Sequence, residues 1–439
     1  MGCSILRLDD LASGRGVYHP GNPRMSRIQN PSPFSLFLSM DGIIDRLSRQ
    51  QIWEEYLANR LMKGRFSWRE FEQADSFVEQ ENYLSLAQRI ANGGKLGIPR
   101  KVILTKAGSN KKRTVYTFEP EEMFVLKVVS HLLYKYDHTF SPNCYAFRRG
   151  LVASDAVLRL HRKVRNKGLW AYKLDIHDYF NSISIPKLLP MLERVLADDM
   201  ALYEFLTRML LDNRVKVDGD IIHEQHGVMA GLPTAPFMAN VYLSDMDRAF
   251  AAQDIIYARY SDDIIIFAES LEQLQEYKAM VMSFLESAEL TVNPSKEKIY
   301  SPDEAYEFLG FKCHGNDIDI ATASIEKMKG KIRRKMRSLL RWKERKAISQ
   351  ERVMARLIKY FNEKFFDNSD DTSLTWARWY FPIVNKVDGL REIDHYLQQA
   401  IRVLSTGRYT KVNYRVSYKM LKGLGYRSLI HEYYKQREQ

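Results

Sequence analysis

The stretch Ile255-Ile256-Tyr257-Ala258-Arg259-Tyr260-Ser261-Asp262-Asp263-Ile264-Ile265-Ile266-Phe267 decides how this chain is read. Two short runs rich in β-branched and aromatic residues flank a polar pair, which is the pattern of a β-hairpin. The turn then carries Asp262 and Asp263 at its tip. Adjacent carboxylates repel each other unless a cation neutralises them, and divalent ions that prefer oxygen ligands are the usual solution. An Asp-Asp pair in a hairpin is by itself more often a solvated turn, so the reading depends on what else the chain supplies.

Asp175 supplies a third carboxylate. Leu169-Trp170-Ala171-Tyr172-Lys173-Leu174-Asp175 reads as a buried strand, followed by Ile176-His177-Asp178-Tyr179-Phe180-Asn181-Ser182-Ile183. A strand ending in Asp and a later Asp-Asp hairpin can bring three carboxylates onto one face of a sheet. Such a cluster can hold two metal ions about 4 Å apart, the arrangement used for phosphoryl transfer. Between them, the segment from Gly227 to Leu243 begins as a Gly/Pro-rich turn around Gly231-Leu232-Pro233. It continues with helical spacing through Phe237, Val241, Ser244 and Met246-Asp247. Glycine there permits close backbone approach to a nucleotide or template base.

The order of these motifs resembles the reverse transcriptase family. The Asp175 strand is similar to its first catalytic motif, Gly231 to Asn240 to its second, and Tyr260-Ser261-Asp262-Asp263 to its third. Leu290-Thr291-Val292-Asn293-Pro294-Ser295-Lys296 resembles the fourth, and Phe308-Leu309-Gly310-Phe311 the strand that grips the primer. Upstream, Lys111-Lys112-Arg113-Thr114-Val115 and Cys144-Tyr145-Ala146-Phe147-Arg148 resemble two fingers motifs of bacterial enzymes. Each motif alone is weak, but their concordant order across residues 98–313 is specific.

The resemblance implies roles residue by residue. Asp175, Asp262 and Asp263 would be catalytic and ligate two Mg2+ ions, with the Ile176 carbonyl as a further oxygen ligand. Asp178 would be a turn residue whose backbone approaches the triphosphate. Phe180 would exclude a ribose 2′-hydroxyl, with a core Phe as the plainer reading. Lys112 and Arg113 would hold the incoming triphosphate, Arg by bidentate geometry. Gly231 would lie at the nucleotide, and Lys296 would donate a proton to the leaving pyrophosphate. Two positions depart from the family: Ala230 and Ala235 stand where Gln and Ser are usual. Two polar groups that would meet the nucleotide or template are thereby replaced by methyls.

Composition points to a polyanionic partner. The chain has 439 residues, a formal net charge of +12 and a pI of about 9.3. That balance favours phosphate backbones. The excess concentrates between Glu326 and Lys346. There Lys327, Lys331, Arg334 and Lys335 recur at helical spacing beside Ile332, Met336, Leu339 and Leu340, so one face can pack while the other tracks nucleic acid. A solvated helix face is the bland alternative. Cys3, Cys144 and Cys313 show no zinc or disulfide spacing, which favours a reducing cytoplasm. No run of roughly 18 apolar residues suggests a membrane span. Leu6 argues against N-myristoylation.

The expected fold class is α+β, a right-hand polymerase with an antiparallel palm sheet packed on helices. Residues 1–40 read as a loose extension, 41–167 as fingers with N-terminal helices, 168–315 as palm, and 316–439 as a helical thumb and C-terminal extension. The expected function is RNA-directed DNA synthesis from an RNA template and dNTPs. Within the family, the retron signatures Asn-Ala-x-x-His and Val-Thr-Gly are missing, and Pro236 argues against the diversity-generating type. By elimination the chain resembles stand-alone enzymes of anti-phage defence, including abortive-infection types, whose template is often a nearby non-coding RNA. A retron or group II intron type is the alternative. An RNA-binding protein that polymerises without template, or not at all, is the alternative of another class. Sequence alone leaves the oligomeric state open.

Overall fold

The computed structural model describes residues 41–62, 68–105, 112–367 and 375–438. The expected N-terminal extension and the hairpin tip that includes Lys111 lie outside them. The chain forms two compact units. The first combines residues 41–156 with Trp170–Ile299, and the second combines Val157–Leu169 with the chain from Tyr300 onward. The architecture is α+β, as the sequence patterns imply.

The first unit holds two four-stranded sheets. Strands β1 (Arg100–Thr105) and β2 (Lys112–Thr117) pair antiparallel, Arg100 opposite Thr117. β3 is Trp170–Asp175; β4 (Arg214–Val217) and β5 (Asp220–His223) form a hairpin. The first sheet runs β2-β1-β4-β5, with β4 parallel to β1. The sequence reading did not anticipate the β4–β5 hairpin. Its Asp218-Gly219 turn has φ of +51° and +104°, the left-handed pair that a tight hairpin needs. It also adds strands from beyond residue 168 to a sheet begun in the expected fingers.

The second sheet runs β6-β7-β3-β8, with β6 at Ile256–Tyr260, β7 at Asp263–Ala268 and β8 at Lys298–Tyr300. β7 lies between two neighbours. Its Ile264, Ile265 and Ile266 are fully buried, which explains a continuous apolar run rather than alternation. The helix Leu271–Ser287 packs on β3 and β7 and starts at Ser270, whose hydroxyl accepts from Gln273 N at 3.1 Å. The helix expected after Pro233 is two helices, Ala235–Tyr242 and Ser244–Ala252. The N-terminal helices expected at the start of the 41–167 segment lie between Ile43 and Ala91, with Ile44, Leu47, Tyr56 and Ile90 in the core.

The second unit has a three-stranded antiparallel sheet of β9 (Tyr306–Phe308), β10 (Phe311–His314) and β11 (Asp317–Ile320). The expected primer-gripping strand Phe308–Phe311 is instead a hairpin turn. Leu309 and Gly310 take φ of +50° and +88°, and Phe308 faces Phe311 across it. Helices Thr322–Lys346, Gln350–Phe365 and Asp388–Thr406 pack together beyond it.

Candidate active site

Strand register builds the site. β3 and β7 are antiparallel neighbours, and their last pair sets Asp175 opposite Asp263. β6 and β7 are joined by the two-residue turn Ser261-Asp262, closed by Tyr260 opposite Asp263. Ser261 takes φ of +62°, a conformation costly for a residue with a side chain. The Asp262 carbonyl accepts from Ile176 N at 3.0 Å, which ties the turn to the residue after β3. All three predicted carboxylates thus meet at one end of one sheet.

Their electrostatics are unfavourable as they stand. Burial, and then the charge of Asp175, push the Asp262 carboxyl above the usual range. Burial dominates at Asp263 too, with Asp262 and Asp175 adding to it; Lys173 offsets part, and the carboxyl is pushed up to about 6. Asp263 Oδ1 is buried and sits 3.4 Å from the Lys173 ammonium without a hydrogen bond. Lys296 Nζ donates to Asp175 Oδ2 at 2.5 Å. Two lysines therefore supply positive charge at a place where three carboxylates crowd.

Among the described residues, no group of three or more His, Cys, Asp or Glu side chains is placed to hold a metal ion by itself. That is compatible with Mg2+, which keeps several waters and binds through one or two carboxylates plus substrate phosphates. Crowded, mutually repelling carboxylates fit such an ion. The Ile176 carbonyl, proposed as a further ligand, accepts no hydrogen bond from the described residues.

Lys296 is placed by long-range contacts. Asn293 N donates to the Asp175 carbonyl at 2.8 Å, and the Asn293 side chain caps the short turn Pro294–Lys296. Glu297 accepts from Tyr172 of β3 at 3.0 Å and from Lys278 at 2.5 Å. Lys296 itself stays half exposed. Its contact here is the Asp175 carboxylate.

Asp178 has φ of +41° and begins the short helix Tyr179–Ser182. Phe180 is half-buried, edge-on to Phe147 at 6.1 Å between ring centroids. Its carbonyl accepts from Val228 N at 2.9 Å, so the glycine-rich turn is stitched to this helix. Gly231 has φ of +107°, and a Cβ there would lie 2.9 Å from the Tyr116 carbonyl. Tyr116 N donates to the Ala230 carbonyl at 2.7 Å. The glycine is therefore accounted for by its approach to β2, while its other side is exposed. Lys112 and Arg113 are exposed on β2, and the Arg113 charge reaches Asp262 and lowers its carboxyl somewhat.

The basic helix Thr322–Lys346 buries Ile325, Met328, Ile332, Met336 and Leu339, leaving Lys327 and Arg334 exposed and Lys331 and Lys335 half-buried. Leu340 is only half-buried. Burial, then Lys364, Lys327 and Arg334, hold the Lys331 ammonium below its usual range. Lys335 Nζ lies 4.4 Å from the centroid of the Tyr360 ring. Lys364 and Tyr360, on helix Gln350–Phe365, escaped the sequence reading because their place beside the basic face is a tertiary fact. The buried cation Arg259 also escaped it, although a lone Arg inside an apolar strand was a visible signal.

Residues 106–313 match the family described as reverse transcriptase (RNA-dependent DNA polymerase). A curated relative is the Retron Ec86 reverse transcriptase of Escherichia coli, 26% identical over 106 residues, 23% of this chain and 33% of the relative. The chain thus matches about a third of that relative's length. Among solved structures, apo telomerase of Candida tropicalis, truncated from its C-terminal domain, aligns with a TM-score of 0.40 and 14% identity, covering 51% of this chain and 55% of that one. Telomerase of Candida albicans in complex with a fragment of telomeric RNA aligns at 0.42 and 12%, covering 79% and 68%. Residues 106–313 are a reverse transcriptase domain, related to the bacterial retron enzymes. Among the described residues no helix is long and apolar enough to cross a membrane.

Proposed function

With its central residues placed in that family, we propose that this chain is an RNA-directed DNA polymerase that copies an RNA template into DNA from dNTPs. The observation that carries the reading is the register that sets Asp175 opposite Asp263, with Asp262 in the adjoining turn. Two Mg2+ ions at these carboxylates would activate the primer hydroxyl and stabilise charge on the leaving pyrophosphate. Asp175 and Asp262 are the ligands in this reading, Asp263 completes the charge, and the Ile176 carbonyl is available beside them. In this reading Arg113 and Lys112 on β2 would hold the triphosphate, and Lys296, next to Asp175, would give its proton to the leaving group. Phe180 and Gly231 are read as further nucleotide-binding residues. The fingers, palm and thumb are assigned to 41–167, 168–315 and 316–439.

We read the chain as a defence-type enzyme of the cytoplasm that copies an associated non-coding RNA. The similarity to a retron enzyme favours a retron-type enzyme as the second reading. The test is extension of a primed RNA by purified protein with dNTPs and Mg2+. Asp262→Ala with Asp263→Ala should abolish extension and leave the fold intact, because removing like charges relieves repulsion. Full activity in that double variant refutes the assignment.

A further inference from the structure

Beneath the catalytic turn lies an ion pair with no exposed side-chain surface on either partner. Arg259 of β6 meets Asp247 of helix Ser244–Ala252, both 0% exposed. The guanidinium donates to Asp247 three times, from Nη2 to Oδ2 at 2.5 Å and from Nε to Oδ1 at 3.0 Å and Oδ2 at 3.1 Å. Nη1 lies 3.4 Å from Asn240 Oδ1 on helix Ala235–Tyr242 and 3.3 Å from the Ser261 carbonyl. Nη2 also contacts Cys144 Sγ at 3.2 Å. The Arg259 backbone is held as well, its N–H donating to the Asn143 carbonyl and its carbonyl accepting from Tyr145 N, both at 2.9 Å. Asn240 Nδ2 donates to the Ala146 carbonyl at 2.8 Å, and Tyr257 OH to the Asp247 carbonyl at 2.9 Å.

A buried ion pair is a poor way to gain stability, because both charges lose water and an apolar pair of similar volume would often serve better. What this pair does supply is direction. Its rigid fork joins two helices and the 143–146 segment to one carbonyl, that of Ser261. That residue holds the left-handed φ from which Asp262 and Asp263 project.

We propose that Arg259, anchored by Asp247 and Asn240, is the positioning residue that holds the Ser261 peptide and so sets the Asp262 and Asp263 carboxylates for the metal ions. The inference rests on the polymerase reading above. Arg259 touches neither substrate nor metal in it; it acts through the turn. Arg259→Lys keeps the charge opposite Asp247 but loses the fork, so it cannot hold Asp247, Asn240 and the Ser261 carbonyl at once.

The test is titration of Mg2+ against the wild type and Arg259→Lys, read both by thermal stability and by primer extension. The Mg2+ midpoint should rise roughly 10- to 100-fold in both readouts, as happens when groups that orient metal ligands are removed. The dNTP KM and RNA affinity should stay within about twofold, because those contacts are elsewhere. A purely structural role would lower the melting temperature and the active fraction but leave the midpoint of the surviving enzyme unmoved, and that result overturns the proposal. Should Arg259→Lys not fold, Asn240→Ala keeps the ion pair and removes one anchor. Its midpoint should shift the same way, and an unmoved midpoint there is equally fatal. If the wild type extends no primed RNA, the polymerase reading falls, while the thermal midpoint still tests the role of Arg259.

Discussion

Replacing Asp263 by Asn should make the metal-free protein more stable at neutral pH. Its carboxyl is pushed from 3.8 up to about 6, chiefly by burial. A folded pKa above the unfolded one means that the fold binds the proton more tightly than the open chain does. The stability associated with this group is then largest where the carboxyl is protonated and falls as pH rises from about 4 through 6. At about 1.36 kcal/mol per unit, the charged form costs the fold about 3 kcal/mol at pH 8 and about half that at pH 5. Asn removes the charge but leaves Lys173 without its ion pair, 3.4 Å away. The net gain expected at pH 8 is therefore about 1–2 kcal/mol, a rise of about 2–5 °C in melting temperature for a unit of this size. The assay is thermal unfolding in EDTA at pH 5 and pH 8, repeated with Mg2+. Wild type should gain more from Mg2+ than the variant, and the gap in EDTA should narrow at pH 5. A variant less stable than wild type, or a gap indifferent to pH, refutes the claim that buried, only partly compensated charge strains this site.

Phe180→Val should lower the preference for dGTP over GTP on one template by about tenfold or more, since a hydroxyl desolvated against the ring costs about 1–3 kcal/mol; an unchanged ratio makes Phe180 a core residue. Gly231→Ala should destabilise the fold by about 1–3 kcal/mol, through its positive φ and the 2.9 Å approach to the Tyr116 carbonyl, read as a lower denaturant midpoint. Reversing the charges of Lys331, Arg334 and Lys335 should weaken binding to all RNAs and flatten the salt slope by about one for each phosphate no longer neutralised. Unchanged affinity and slope in a folded variant would leave that helix face merely solvated.

The strand ending in Asp175 and the hairpin carrying Asp262 and Asp263 were legible because their causes are local, runs of β-branched residues and a short polar turn. The tip, however, holds Ser261 and Asp262, while Asp263 begins β7. The β4–β5 hairpin carried a local signal too, Asp218-Gly219, but its parallel pairing with β1 did not, since that joins Arg100 to Lys216. The turn Leu309-Gly310 was mistaken for strand because the apolar residues on both sides hide two left-handed positions. Sequence by itself determined which carboxylates exist, which family pattern orders them and where cations accumulate. Only the tertiary structure decided that Asp175 faces Asp263, that Lys296 reaches Asp175 across 121 positions, and that Arg259 is sealed with Asp247 beneath the turn. The physical reason is that burial and charge pairing are properties of what surrounds a residue. For these groups the surroundings come from distant segments that no local periodicity records.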